Sequence, residues 1–188
     1  MEGIVDPKDI QLIKDGIRKI PNFPKKDILF YDLFSNLVNV ELRNKLFDIS
    51  IILIQNYLKT NNKEVNAIVG LESRGFLLGL VLADRLQLPF IPIRKKNKLP
   101  GGTLKINYVT EYSEDVFELQ VDMINEDSKV LIVDDLLATG GSLKAAEELV
   151  TMSKGETVGY YVAFEIGGLK GRDALAKPSG LISIINID

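Results

Sequence analysis

The sequence predicts an α/β domain with a mainly parallel central sheet flanked by helices, and three observations carry that prediction. From residue 65 onward, strand-like and helix-like segments alternate: VNAIVG, GFLLGLVLADRLQ, LPFIPIR, and later KVLIVD, SLKAAEELVTMSKG and TVGYYVAFE. Runs such as Val130 to Val133 are apolar without alternation, as strands covered on both faces must be. The 188 residues, 46% apolar and 26% charged, show no repeat, low-complexity tract or linker, so residues 1–188 are read as one domain with one core.

Each element has its own justification. Asp6-Pro7 opens a helix in cap-then-proline order, and Ile10, Ile13, Ile17 and Ile20 extend it at helical spacing up to Pro21. Residues 21–34 read as a proline-bounded loop that bears aromatics. A second helix starts near Asn39, carries Leu42, Leu46, Ile49, Leu53 and Tyr57 along one face, and fades in LKTNNKE. Residues 95–127 are a long insert between two strands, and its TLKINYV and VFELQV segments alternate as a hairpin does. LISIINI is the last strand.

Two absences narrow the chemistry. The chain has no Cys and no His. That excludes disulfides, thiolate nucleophiles, zinc sites built on Cys or His, and every triad that uses an imidazole. Acid–base work falls to Asp, Glu, Lys, Tyr or a substrate group, and a metal would be a hard cation held by oxygen, such as magnesium. A net charge of −3 gives no bulk attraction for nucleic acid. The longest apolar run is too short to span a bilayer, and MEGIVDPKDIQ has no apolar signal segment, so the expected setting is the cytoplasm, away from membranes.

Three loops follow strands and precede helices or glycines, where ligands bind in open α/β sheets. In VLIVDDLLATGGS, a strand is read to end at Asp134 and Asp135. Thr139, Gly140, Gly141 and Ser142 then open a helix, with close-approach glycines and hydroxyl donors suited to a phosphate. The paired acids would repel that phosphate and are suited to the vicinal hydroxyls of a ribose. As acids at a strand end, they are expected to contribute little to packing. The second loop, GLESRG, offers Ser73 and the Arg74 fork. The third, Arg94 to Gly102, is a basic run that by itself reads as a solvated face. Beside two anion loops it reads as a clamp for a second phosphate group. A P-loop, the other home for an apolar strand ending in Asp, needs Gly-x4-Gly-Lys-Ser/Thr, which the chain lacks.

VLIVDDLLATGGS resembles the phosphoribosyl pyrophosphate signature of the type I phosphoribosyltransferases. Together with GLESRGF, IRKKNKLPGGT, Glu111-Tyr112 and LKGRDAL, the likeness covers nearly the whole chain and is closest to the adenine-using branch of that family. The resemblance implies the type I fold, and purine salvage from adenine and phosphoribosyl pyrophosphate to AMP and pyrophosphate, with Mg2+ held mainly by substrate and water. It implies a homodimer and a mobile insert that closes over the site. Ala138, Thr139, Gly140, Gly141 and Ser142 would hold the 5-phosphate, and Asp134 and Asp135 the ribose. Ser73, Arg74, Arg94, Lys95 and Lys98 would bind pyrophosphate, and Glu111 would be the general acid/base. Leu29, Phe30 and Tyr31 would form the base site.

One motif departs from the family. Its base loop reads FP-x-PG-apolar-x-FRD, whereas this chain places Lys26, Asp27 and Tyr31 where the family has Pro, Gly and Arg. Recognition through the Leu29 backbone survives such changes, but Tyr31 carries no charge. Two alternatives therefore stand beside adenine: transfer to guanine, hypoxanthine or xanthine, and a non-catalytic protein that binds the sugar donor.

Overall fold

A computed structural model describes residues 3–109 and 114–187. The α/β prediction holds. The main sheet has seven strands: β3 (Ala67–Leu71), β4 (Phe90–Lys95), β5 (Thr103–Val109), β6 (Glu114–Gln120), β7 (Lys129–Leu137), β8 (Glu156–Ile166) and β9 (Leu181–Ile187). Their spatial order is β5-β6-β4-β3-β7-β8-β9. The pairs β3–β4, β3–β7, β7–β8 and β8–β9 are parallel. The insert does form a hairpin, but its β6 also pairs antiparallel with β4 through Arg94↔Glu118 and Lys95↔Phe117, so it widens the sheet.

Helices cover both faces. α1 (Pro7–Asp15), α3 (Val40–Thr60) and α4 (Arg74–Leu86) place Ile13, Leu46, Ile54, Leu78 and Leu82 against Ile68, Leu131, Val133 and Tyr161 of the sheet. On the opposite face α5 (Gly141–Met152) packs Leu143, Ala146 and Leu149 against Val69, Val130, Ile132 and Tyr160. Consecutive residues of β3 and β7 thus serve different cores, which is why their sequences are apolar throughout. β3 leads through α4 to β4 on one side, and β7 leads through α5 to β8 on the other. The carboxyl ends of β3 and β7 therefore flank the switch point of the sheet, where such folds bind ligands.

The N-terminal reading needs correction. Asp6 caps α1 by accepting from the Lys8 N–H at 2.9 Å, and Pro7 takes the first helical position as expected. The helix stops at Gly16, however, well before Pro21. An added Cβ at Gly16 would lie 2.4 Å from Leu42 Cδ1 and 2.5 Å from Asn36 Oδ1, so a close crossing with the following helices turns the chain there. Ile20 is extended instead: β1 (Arg18–Pro21) pairs antiparallel with β2 (Leu29–Asp32), while the Ile17 N–H closes a turn on the Lys14 carbonyl. The expected loop over 21–34 thus holds the turn and second strand of a hairpin, followed by the start of a short helix, α2 (Phe34–Val38). The second helix starts as expected, with Asn39 Oδ1 accepting from Glu41 and Leu42 N–H.

Candidate active site

Loops at the ends of β3 and β7 enclose a cavity of about 550 Å3. Its floor is the turn from β7 into α5. Gly140 caps α5 at φ +85, a backbone region in which a side chain is strained, and an added Cβ would stand 2.4 Å from the Gly171 carbonyl oxygen. The first N–H groups of any helix lack intrahelical acceptors. Those of α5 have no side-chain cap among the described residues and no acidic residue in the first turn. With Thr139 and Ser142 on the same wall, the turn is suited to an anion, with partial positive charge supplied by the backbone.

The acid pair stands beside it, and two expectations change. β7 does not end at the acids; it continues to Leu137 because β8 supplies partners as far as Leu137↔Glu165. Asp135 is 4% exposed and lies 3.0 Å from Arg74 Nε through Oδ2, so it is a packed, paired group. Asp134 Oδ1 accepts the Asp135 N–H at 2.9 Å. Burial pushes the Asp134 carboxyl well above the usual carboxylate range, and the neighbouring Asp135 charge adds to the effect. Burial also raises Asp135, against the pull of Arg74. Of the two, Asp134 is the more strongly raised, so it is the later to ionise as pH rises.

On the third wall three of the four cations of the basic run are already paired. Lys98 Nζ lies 2.6 Å from Glu72 Oε1, Arg94 Nε 3.2 Å from Glu72 Oε2, and the Lys95 N–H donates to the same carboxylate at 2.9 Å. Lys95 Nζ pairs with Asp115 at 2.7 Å. Burial alone would raise the Glu72 carboxyl, but Lys98, the Lys95 N–H and Arg94 together bring it below its ordinary value. Glu72 and Asp115 line the cavity, as do Tyr108 and Phe117, whose rings stack at 4.1 Å. The sequence reading assigned none of these four. Glu72 stood inside GLESRGF directly before Ser73, but its partners lie 22 to 26 residues away and only the fold brings them together.

Of the residues picked from sequence, Ser73, Arg74, Lys95, Lys98, Asp134, Asp135 and the turn 138–142 share this cavity. Arg94 does not line it; its guanidinium lies on Glu72 and on the Lys98 carbonyl. Leu29, Phe30 and Tyr31 stand on β2 outside the lining, yet the Phe30 ring is 5.0 Å from the Arg74 guanidinium carbon, so Arg74 joins the hairpin to Asp135. Asp27 adopts φ +68, the left-handed backbone that the family's glycine would supply, which Asp tolerates better than most residues. Glu111 and Tyr112 lie outside the described residues.

Among the described residues no group of three or more acidic side chains converges as a metal cage. Four carboxylates (Glu72, Asp115, Asp134, Asp135) nevertheless face three cations (Arg74, Lys95, Lys98) around the cavity. A polyphosphate enters such a site against its net charge unless a proton or a cation comes with it. The all-oxygen donor set fits a hard divalent cation carried on the ligand's own oxygens.

A parallel sheet with a switch-point cavity, a glycine turn for phosphate and a paired-acid wall defines a nucleotide- or sugar-phosphate-handling α/β protein. Residues 39–185 match the phosphoribosyl transferase domain family, and the chain belongs to that family. It is 43% identical to an adenine phosphoribosyltransferase of Candida albicans, over 88% of this chain and 85% of that one. It is 46% identical to one of Drosophila pseudoobscura pseudoobscura, over 88% and 90%. The Saccharomyces cerevisiae adenine phosphoribosyltransferase, solved with D-2,5-dideoxy-2,5-imino-altritol 1,6-bisphosphate and adenine, superposes with a TM-score of 0.86 at 39% identity, covering 96% of this chain and all of that one.

Proposed function

We propose that this chain transfers a phosphoribosyl group from phosphoribosyl pyrophosphate to adenine, giving AMP and pyrophosphate in purine salvage. The observation that carries the reading is the shared cavity: an uncapped helix N-terminus, an acid pair and a basic wall around one space. The 5-phosphate takes the N–H groups of the turn 138–142. The ribose hydroxyls lie against Asp134 and Asp135, whose negative charge stabilises the cationic sugar formed as the bond to pyrophosphate breaks. Lys95 and Lys98 leave Asp115 and Glu72 for the leaving group, joined by Ser73 and the Arg74 Nη1, a buried donor with no partner among the described residues. Magnesium bound with the donor supplies positive charge to the pyrophosphate oxygens. The carboxylates of Asp134 and Asp135 are suited to hold its water shell.

The base enters from the β1–β2 side, over Phe30 and along the Leu29 backbone. The left-handed Asp27 keeps the turn before Leu29 as a glycine would, and what favours adenine over the other purines is the likeness to adenine phosphoribosyltransferases. Glu111 is the general acid/base, a role no His is present to fill. What supports a homodimer is the family likeness together with Leu77 and Leu80, large apolar side chains exposed one turn apart on α4. No described helix is long and apolar enough to cross a membrane, and we place the enzyme in the cytoplasm.

Incubating the protein with magnesium, the donor and adenine yields AMP and pyrophosphate, and guanine, hypoxanthine and xanthine compete poorly. Absence of product with every purine overturns the assignment. Donor binding without turnover replaces it with a non-catalytic binding protein. Light scattering on a sizing column reads the dimer directly.

A further inference from the structure

Behind the phosphate turn lies a segment that the proposed chemistry does not use. The turn Gly171–Ala174 packs backbone to backbone against the loop between β7 and α5. A Cβ added to Gly171 would stand 2.2 Å from the Ala138 carbonyl oxygen, and one added to Gly140 would stand 2.4 Å from the Gly171 carbonyl oxygen. No side chain fits between them, so the position of one backbone sets the position of the other. What fixes the turn is Arg172. Its Nε and Nη2 donate to the two oxygens of Glu165 at 2.6 and 2.7 Å, a bidentate fork, and its Nη1 reaches the Pro178 and Leu181 carbonyls at 3.3 Å.

Glu165 is itself held firmly. It is 6% exposed near the end of β8, accepts from Ser183 Oγ at 3.0 Å, and pairs in register with Leu137, the residue just before the phosphate turn. The hydrogen bonds from Arg172, and then its charge, hold the Glu165 carboxyl below its ordinary value against burial, so the fork and carboxylate offset one another's charge. Arg172 therefore adds little field to the cavity, and its contribution is geometric. A ring of contacts runs from Leu137 through Glu165 and Arg172 to Gly171 and back to Ala138 and Gly140.

We propose that Arg172 is a positioning residue for the 5-phosphate turn, acting through its fork on Glu165 and the Gly171–Gly140 contact. The proposal rests on the reading that the turn 138–142 holds a sugar phosphate. Without the fork the Gly171 turn is free to move away and the floor of the anion site loses its backing. Displacements well under an ångström then misalign several N–H donors at once. The defect is confined to the phosphate end of the donor, because the base hairpin makes no part of this ring.

The test compares Arg172→Gln, Arg172→Lys and Glu165→Gln with the parent protein. The readouts are calorimetric affinity for ribose 5-phosphate, separate KM values for donor and adenine, and thermal stability. We expect ribose 5-phosphate affinity to fall and donor KM to rise by roughly tenfold or more in all three, with adenine KM unchanged within about twofold. Arg172→Lys keeps the charge but not the fork and shows the same defect as Arg172→Gln. Unchanged affinity in folded Arg172→Gln or Arg172→Lys overturns the proposal, and so does an equal rise in both KM values, which marks a general loss of structure. Failure of the parent protein itself to bind ribose 5-phosphate overturns the reading of the turn, and the Arg172 role with it.

Discussion

Replacing Gly140 by Ala tests the phosphate turn at its tightest point. Gly140 has φ +85, and holding an L-residue there costs about 1–2 kcal/mol. The new methyl would also meet the Gly171 oxygen at 2.4 Å and Ala174 Cβ at 2.9 Å. Neither is a flexible side-chain end, so the backbone must shift, at about 1–3 kcal/mol for overpacking of this kind. The two effects sum to about 2–5 kcal/mol, which for a chain of this size lowers the melting temperature by roughly 4–20 °C. The same shift tilts the N–H groups of α5, so affinity for ribose 5-phosphate falls with stability. Gly168 is the control: its added Cβ meets nothing within 4 Å, and Gly168→Ala stays within about 0.5 kcal/mol of the parent. Scanning fluorimetry and calorimetry on the two variants read both effects. A Gly140→Ala protein that melts with the parent and binds ribose 5-phosphate equally well refutes the account of a filled, left-handed turn.

The acids give further expectations. Between the ordinary Asp value near ~4 and its raised folded value, Asp134 holds a proton that the unfolded chain has released, so rising pH destabilises the protein across that window. Asp134→Asn cannot ionise, so its melting temperature gains on the parent as pH rises through the window, while turnover falls; a pH-independent gap in a fluorimetric pH series contradicts the buried proton. Asp135→Asn leaves the Arg74 guanidinium facing a neutral amide, and loses stability by about 1–3 kcal/mol as well as turnover, measured by urea unfolding and AMP formation. Glu72 is held below its ordinary value, so its stabilisation is present above ~4.3 and is lost as pH falls through the folded value. The stability gap between parent and Glu72→Gln is thus steady near neutrality and vanishes in acid, with acid-unfolding curves as the measure. Glu111→Gln lowers turnover with ribose 5-phosphate affinity unchanged, and an unaltered rate removes Glu111 from the chemistry.

Sequence carried the site best where its causes are local. The run Val130 to Val133, the glycines and the hydroxyls of 139–142 are neighbours in the chain, and each has a propensity that reads directly as strand, turn or helix start. It failed where a distant partner decides. Isoleucines at 13, 17 and 20 keep helical spacing, but the crossing of Gly16 with Asn36 and Leu42 ends the helix, and pairing with β2 takes Arg18–Pro21, Ile20 included, into a strand. Asp134 and Asp135 stay in β7 because β8 continues to supply partners. Glu72 and Arg172 became visible only when the fold set them beside Lys98 and Glu165.

Arg74 has one further consequence. One guanidinium serves two masters, the Phe30 face on the proposed base side and the Asp135 carboxylate on the proposed ribose side. A ligand that draws Asp135 away changes what holds Phe30, and a base that displaces Phe30 changes what holds Asp135. Whatever factor the sugar donor imposes on purine affinity, the purine must return to the donor, because linkage between two equilibria is reciprocal. On the proposed reading, the two sides of Arg74 are therefore thermodynamically one system, and a ligand built for either is best measured with the other filled.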